Sequence, residues 1–136
     1  MRLLIDANIL LDVLENRHPH VEASSLIWKL CEVGRAEGYI SALTFANLVY
    51  VMRKELGTDE VEEIWKKLRL IFYVVDLTEK DMDYATAAKW EDFEDAIQSA
   101  TASRVGADYI VTRNQKDFAR SKVPAITPGN LLQHLN

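Results

Sequence analysis

The chain has 136 residues, 49% hydrophobic and 27% charged, which is the size and balance of a single soluble globular domain spanning 1–136. No apolar run approaches the roughly 20 residues of a membrane span. The apolar start MRLLIDANILLD is interrupted by Asp6 and Asp12 and lacks a small-residue cleavage site, so neither a membrane partner nor a signal peptide is expected. The net charge of −5 argues against general attraction to nucleic acid but leaves room for a nucleic-acid enzyme, because a site that holds divalent cations is itself acidic.

In chain order, residues 2–5 (RLLI) read as a buried strand and 8–16 as a helix. A second helix is expected within 21–38, with Ala23, Leu26, Ile27 and Leu30 on one face and Gly38 after its end. A strand at 39–42 is followed by a helix over 44–57, closed by Gly57, and another over 58–71 with Thr58 as N-cap. A third strand is expected at 72–77, then a helix opened by Thr78 and another over 92–107 that ends near Gly106. The fourth strand is 108–112, and 123–126 is a short last one. Thr127 caps a final helix whose first position is Pro128, where the missing N–H costs nothing. Trp28, Trp65 and Tyr50 fall at helical spacing, which favours core packing over a partner surface.

Strand and helix alternate throughout, so the expected fold class is α/β: a three-layer α/β/α sandwich around a parallel sheet of four to five strands. In such folds the active crevice lies beyond the C-terminal strand ends, where the strand order reverses. The informative residues are then Asp6 after the first strand, Thr44 to Asn47 after the second, Asp76 at the third, and Thr112 to Asp117 after the fourth.

Each of these has an ordinary structural explanation. Asp6 and Asn8 suit an N-cap. Asp92 suits a cap with Asp95 one turn on, and Asn114 and Asp117 suit a turn. Yet KWEDFEDAIQSA puts Glu91, Asp92, Glu94 and Asp95 into five positions, and a cap needs one or two acids. Like charges one helical turn apart repel by roughly 0.2–0.5 kcal/mol each. Glu91 and Glu94 are read as solvent-facing. Asp6, Asp95 and Asp117 converge from three parts of the chain, with Asn8, Asn47, Thr112 and Asn114 as supporting polar groups and Asp92 as an additional acid. Oxygen ligands without Cys or His suit Mg²⁺ or Mn²⁺, and such an ion activates water against a phosphodiester. His18, His20 and His134 are not spaced as ligands. Cys31 is the only cysteine, which excludes an internal disulfide and fits a reducing cytoplasm. Arg113, Lys116, Arg120 and Lys122 form a local basic cluster able to hold RNA phosphates.

These motifs resemble the PIN-domain family, in particular the ribonuclease toxins of VapBC-type toxin–antitoxin pairs. LLIDANILLDVL is similar to the family's first-strand signature, and DFEDAIQSATASRVGADYIVTRNQKDF to its third and fourth motifs. The resemblance implies a parallel sheet between helices, a Mg²⁺ or Mn²⁺ site, an RNA substrate, a cognate antitoxin and a homodimer. Carried over, Asp6 matches the first acid and Asp95 the third. The fourth falls in TRNQKDF, with Asn114 where many members have Asp and Asp117 acidic. The second motif departs from the pattern: Asn47 stands where the family commonly has Glu. Asp6, Asp95 and Asp117 are thus the expected catalytic residues, with Asp92 as a further metal ligand. A catalytically weakened RNA- or protein-binding module is the alternative that Asn47 raises. A haloacid-dehalogenase-like phosphatase with Asp6 as nucleophile is less favoured, because position 8 carries no acid and no later lysine motif is evident.

Overall fold

The computed structural model describes residues 1–135. Across them, five strands form one parallel sheet: β1 (Arg2–Ile5), β2 (Glu37–Ser41), β3 (Tyr73–Val75), β4 (Tyr109–Val111) and β5 (Ala125–Ile126), in the spatial order β3-β2-β1-β4-β5. The chain runs outward from β1 to β2 and β3, then returns to the other edge of β1 with β4 and β5. The strand order therefore reverses between the C-terminal ends of β1 and β4, which is where a crevice is expected.

Side-chain alternation in the central strands divides the interior. Leu3 and Ile5 point to one face with Val111, and Leu4 points to the other with Ile110. Against the first face pack α1 (Ala7–Leu14), α2 (Val21–Glu32), α3 (Ala42–Val51), α4 (Thr58–Ile71) and α7 (Pro128–His134). The second face is covered by α6 (Phe93–Arg104), with α5 (Glu79–Ala88) packed beside it. Every residue from Ala96 to Ala102 is buried, and most are small, which lets α6 lie close to both the sheet and α5. The central strands β1 and β4 are buried on both faces beyond their first residues, as a parallel sheet between helices requires, whereas Tyr73 on the edge strand β3 is exposed. No helix among the described residues is long and apolar enough to cross a membrane.

Several expected boundaries move for local reasons. Helix α2 stops at Glu32 rather than near Gly38, because Gly34 takes a left-handed φ of 77° that ends the helix. Gly38 instead lies inside β2, where a Cβ would sit 2.6 Å from Cys31 Sγ and 2.7 Å from Phe72 Cδ1. Helix α3 ends at Val51, and Gly57 opens α4 instead of closing α3; the Glu60 carboxylate accepts from the Gly57 N–H at 2.9 Å. Residues Gln115–Phe118, expected as a turn, form one turn of 3₁₀ helix that buries Phe118. Trp28 is buried edge-on against Phe72. Tyr50 is not core: it is 65% exposed, with the Arg53 guanidinium 4.1 Å over its ring.

Candidate functional site

The reversal point is built around Asp6, the first residue past β1. Its Oδ1 accepts from the Ala7 N–H at 2.8 Å, so it caps α1 as its position suggests. Its Oδ2 accepts from the Thr112 hydroxyl at 2.8 Å and from Asn8 Nδ2 at 3.3 Å. Thr112 is fully buried at the end of β4, and its hydroxyl also accepts from the Asn114 N–H at 3.0 Å. Asn8 Oδ1 faces the Arg113 N–H at 3.4 Å. The two strand ends are thus joined through side chains, and the Asp6 carboxylate is held in one orientation. Burial pushes the Asp6 carboxyl above its ordinary value. Hydrogen bonds from Thr112, Ala7 and Gln98 oppose that shift, and the nearby Asp117 adds to it.

The start of α6 faces this point. Asp92 is the N-cap and accepts from the Asp95 N–H at 3.0 Å. The Asp95 carboxyl is pushed up to about 7, first by burial and then by Asp92, Asp6, Asp117 and Glu94 around it. Glu94, expected to face solvent, is exposed but not free: it accepts from Asn47 Nδ2 at 2.9 Å. One turn further along α6, Gln98 is 5% exposed and donates to Thr44 Oγ1 at 3.0 Å. Its Oε1 is buried and has no partner among the described residues. Turning the amide over would place that oxygen against Asp6, so the donor end belongs where it is.

Two cavities meet at Asp95. The larger, about 710 Å³, is lined by Asp92, Asp95 and Asp117 together with Glu91, and by Lys89, Trp90, Lys116 and Arg120 on its basic side. The smaller, about 50 Å³, lies between Asp6, Asn47, Glu94, Asp95 and Gln98. No three Asp, Glu, His or Cys side chains among the described residues close into a ready metal cage. A Mg²⁺-type ion does not require one, since it is usually held by one or two carboxylates and keeps several waters. Asp6 and Asp95, which both line the smaller cavity, can supply those carboxylates. The residues therefore fit a hydrated divalent cation.

Not every expected residue comes to this place. The Arg113 guanidinium is committed elsewhere, to buried Asp12, through Nε to Oδ2 at 2.9 Å and Nη2 to Oδ1 at 3.1 Å. Arg120 lines the crevice but donates to the carbonyls of Ala88 and Lys89 at the end of α5. Lys122 lines neither cavity, and Asp76 accepts from Arg104 through its carbonyl, away from the crevice. Asn114 contributes through its backbone N–H to Thr112. Glu94, Gln98, Lys89 and Trp90 were not among the expected site residues. Gln98 lies one helical turn after both Glu94 and Asp95, at i+4 and i+3, a spacing that could have found Glu94 and Gln98.

A family profile described as "PIN domain" matches residues 2–116. The chain belongs to the PIN-domain family. Solved structures with the same fold include VapBC2 from Rickettsia felis bound to a DNA fragment from its promoter, 18% identical with a TM-score of 0.71, covering 93% of this chain and 98% of that one. A toxin–antitoxin complex from Klebsiella pneumoniae is 24% identical with a TM-score of 0.68, covering 93% of this chain and 97% of that one. Mycobacterium tuberculosis VapC20, a sarcin–ricin-loop-cleaving toxin, is 11% identical with a TM-score of 0.63, covering 79% of this PIN chain and 86% of its own. No curated protein matches the sequence.

Proposed function

We propose that this PIN-domain chain is a Mg²⁺- or Mn²⁺-dependent endoribonuclease that hydrolyses RNA phosphodiester bonds as the toxin of a VapBC-type pair. The observation that carries this reading is the pile-up of carboxylates at the strand-order reversal. Asp95 is driven up to about 7 by burial and by four neighbouring acids, an arrangement that is unfavourable until a cation joins it. The neighbour that cleaves the sarcin–ricin loop supports RNA as the substrate class, and the toxin–antitoxin complexes of the same fold support a small antitoxin partner.

A bound divalent cation would supply Lewis-acid activation of water and offset charge on the phosphate. Asp6 is oriented for it by Ala7, Asn8 and Thr112, and Asp95 holds or releases a proton near neutral pH. Lys116 and Lys89 face the same crevice as Asp117 and attract the backbone phosphates. Trp90 offers an aromatic surface beside them for an unstacked base. Arg113 and Arg120 act as braces in this reading: one fixes the loop after β4 to α1, and the other ties the 3₁₀ turn region to α5.

Wild-type protein is expected to cleave single-stranded RNA with Mn²⁺ or Mg²⁺, to stop with a chelator, and to lose at least about a hundredfold in rate as Asp6→Asn or Asp95→Asn. Undiminished cleavage by both variants would overturn the assignment. Asn47 supports a second reading, RNA binding without cleavage; absence of calorimetric Mn²⁺ binding at millimolar metal would favour it. Growth arrest on expressing the wild type, absent with Asp95→Asn, tests the toxin role.

A further inference from the structure

We propose that Arg120 is a positioning residue: it pins the left-handed turn at Lys89 and so holds that lysine in the large crevice as a preformed contact for an RNA phosphate. This rests on RNA as the substrate, as read above, and adds how one wall of the crevice is readied for it.

The backbone singles out Lys89. It ends α5 with φ 58° and ψ 37°, in the left-handed region that L side chains rarely adopt. Glycine, or sometimes asparagine, is the usual residue for such a helix end. Among the described residues the other non-glycine with positive φ is Asn16, at 50°, and asparagine tolerates that conformation. Lysine does not share that tolerance. An uncommon conformation of this kind persists where the surrounding structure over-determines it, and it is then a pointer to function.

Arg120 supplies that surrounding structure. Its Nη2 donates to the Ala88 carbonyl at 2.8 Å and its Nη1 to the Lys89 carbonyl at 3.3 Å. Its guanidinium carbon lies 5.9 Å from the centre of the Trp90 ring, so one side chain holds the residues before, at and after the turn. Arg120 itself springs from a fixed base. Phe118 is buried and meets Trp90 edge-on, with ring centres 6.3 Å apart. The Ser121 hydroxyl is 2.8 Å from that of fully buried Ser99 on α6.

Capping alone gives an ordinary account of two cations here, because positive side chains suit a helix C-terminus. It does not account for Lys89. Arg120 already answers the last carbonyls, and a glycine would take the turn freely. The lysine side chain is exposed and, among the described residues, in no ion pair, although Asp92, Asp95 and Asp117 line the same crevice. A cation held in place and left unpaired meets an incoming anion without first breaking a bond or ordering its backbone. RNA offers that anion as its backbone phosphate.

The test is fluorescence anisotropy of a labelled single-stranded oligouridylate in Mn²⁺, with every variant built on Asp95→Asn so that binding is read without cutting. Added to that parent, Lys89→Gly is expected to melt no lower and to bind roughly 3–10-fold more weakly. Arg120→Lys keeps the charge but not the two-carbonyl fork; it is expected to weaken binding to a similar extent, with no further loss when combined with Lys89→Gly. Lys80→Ala removes the same charge from the other end of α5 and should bind as the parent does. The inference is overturned by parental affinity in Lys89→Gly or in Arg120→Lys, by an equal loss in Lys80→Ala, or by a parent that binds no oligonucleotide. Cleavage of the same RNA by the wild-type protein is scored separately. If it cuts while Lys89→Gly binds like the parent, the inference falls and the nuclease reading stands. If it does not cut while the binding losses appear, the nuclease reading falls and the inference stands.

Discussion

Two carboxylates on opposite sides of the sheet show how differently one fold can treat the same chemical group. Asp12 on α1 is fully buried, yet Arg113 holds both its oxygens and the Ser24 hydroxyl donates to Oδ2 at 2.9 Å. Asp95 on α6 is only half-buried, but its neighbours are Asp92, Asp6, Asp117 and Glu94, and its carboxyl stands at about 7. The deeper group is quiet because its charge is answered. The shallower one is strained because it is not. Burial alone therefore does not mark a functional carboxylate; burial without an opposite charge does.

Breaking the quiet side should have the largest effect. Asp12→Ala leaves the partly buried Arg113 guanidinium without its partner and is expected to destabilise the chain by about 3 kcal/mol, the low end for a broken buried pair because Arg113 keeps some water contact. Urea unfolding monitored by tryptophan fluorescence measures it; a loss below about 1 kcal/mol would mean that the pair is replaceable by solvent.

On the strained side the sign reverses. Asp95→Asn is expected to raise the melting temperature of the metal-free protein by roughly 2–4 °C at pH 7.5 while removing activity. Because the folded carboxyl lies above its unfolded value of 3.8, at about 7, the ionised form is penalised in the folded state. The destabilisation is therefore complete above pH 7 and fades as pH falls toward 4. Melting curves of both proteins should converge over that window, and a gap that widens toward low pH would contradict burial and carboxylate crowding as its cause.

The same proton competes with the cation. Mn²⁺ affinity is expected to fall by up to about tenfold per pH unit below 7 and to level off above it, read by calorimetry at three pH values. The smallest effect belongs to the basic wall. Lys116→Ala should lower RNA affinity and reduce the salt dependence by about 0.7 of a counterion, whereas Lys122→Ala should leave both unchanged. Equal effects from the two lysines would place the RNA outside the crevice.

The sheet and the centre of the candidate site are legible in the sequence because the residues that make them sit at local landmarks. Asp6 ends an apolar run, Thr112 ends another, and Asp92 precedes a helix-period stretch in which Asp95 takes the third position. What stays hidden depends on contacts between distant segments. Arg113 and Asp12 are 101 residues apart, and Asn47 and Glu94 are 47 apart, and no periodicity announces either pair. Gln98 escapes notice because it lies in a run of small buried residues that reads as packing. Gly38 looks like a helix stop by its type alone; its tight contact with Cys31 and Phe72 exists only in the folded chain.

The position of β1 in the sheet has a consequence for how the protein is made. This strand leaves the ribosome well before β4, which begins at Tyr109 and fills one of its two edges. Until that segment emerges, Asp6 lacks Thr112, and α6 has only part of the surface it packs on. An interrupted chain is therefore unable to assemble the carboxylate cluster, however well its first half folds. The carboxylate cluster is therefore a late product of the chain, assembled only when its two distant halves meet.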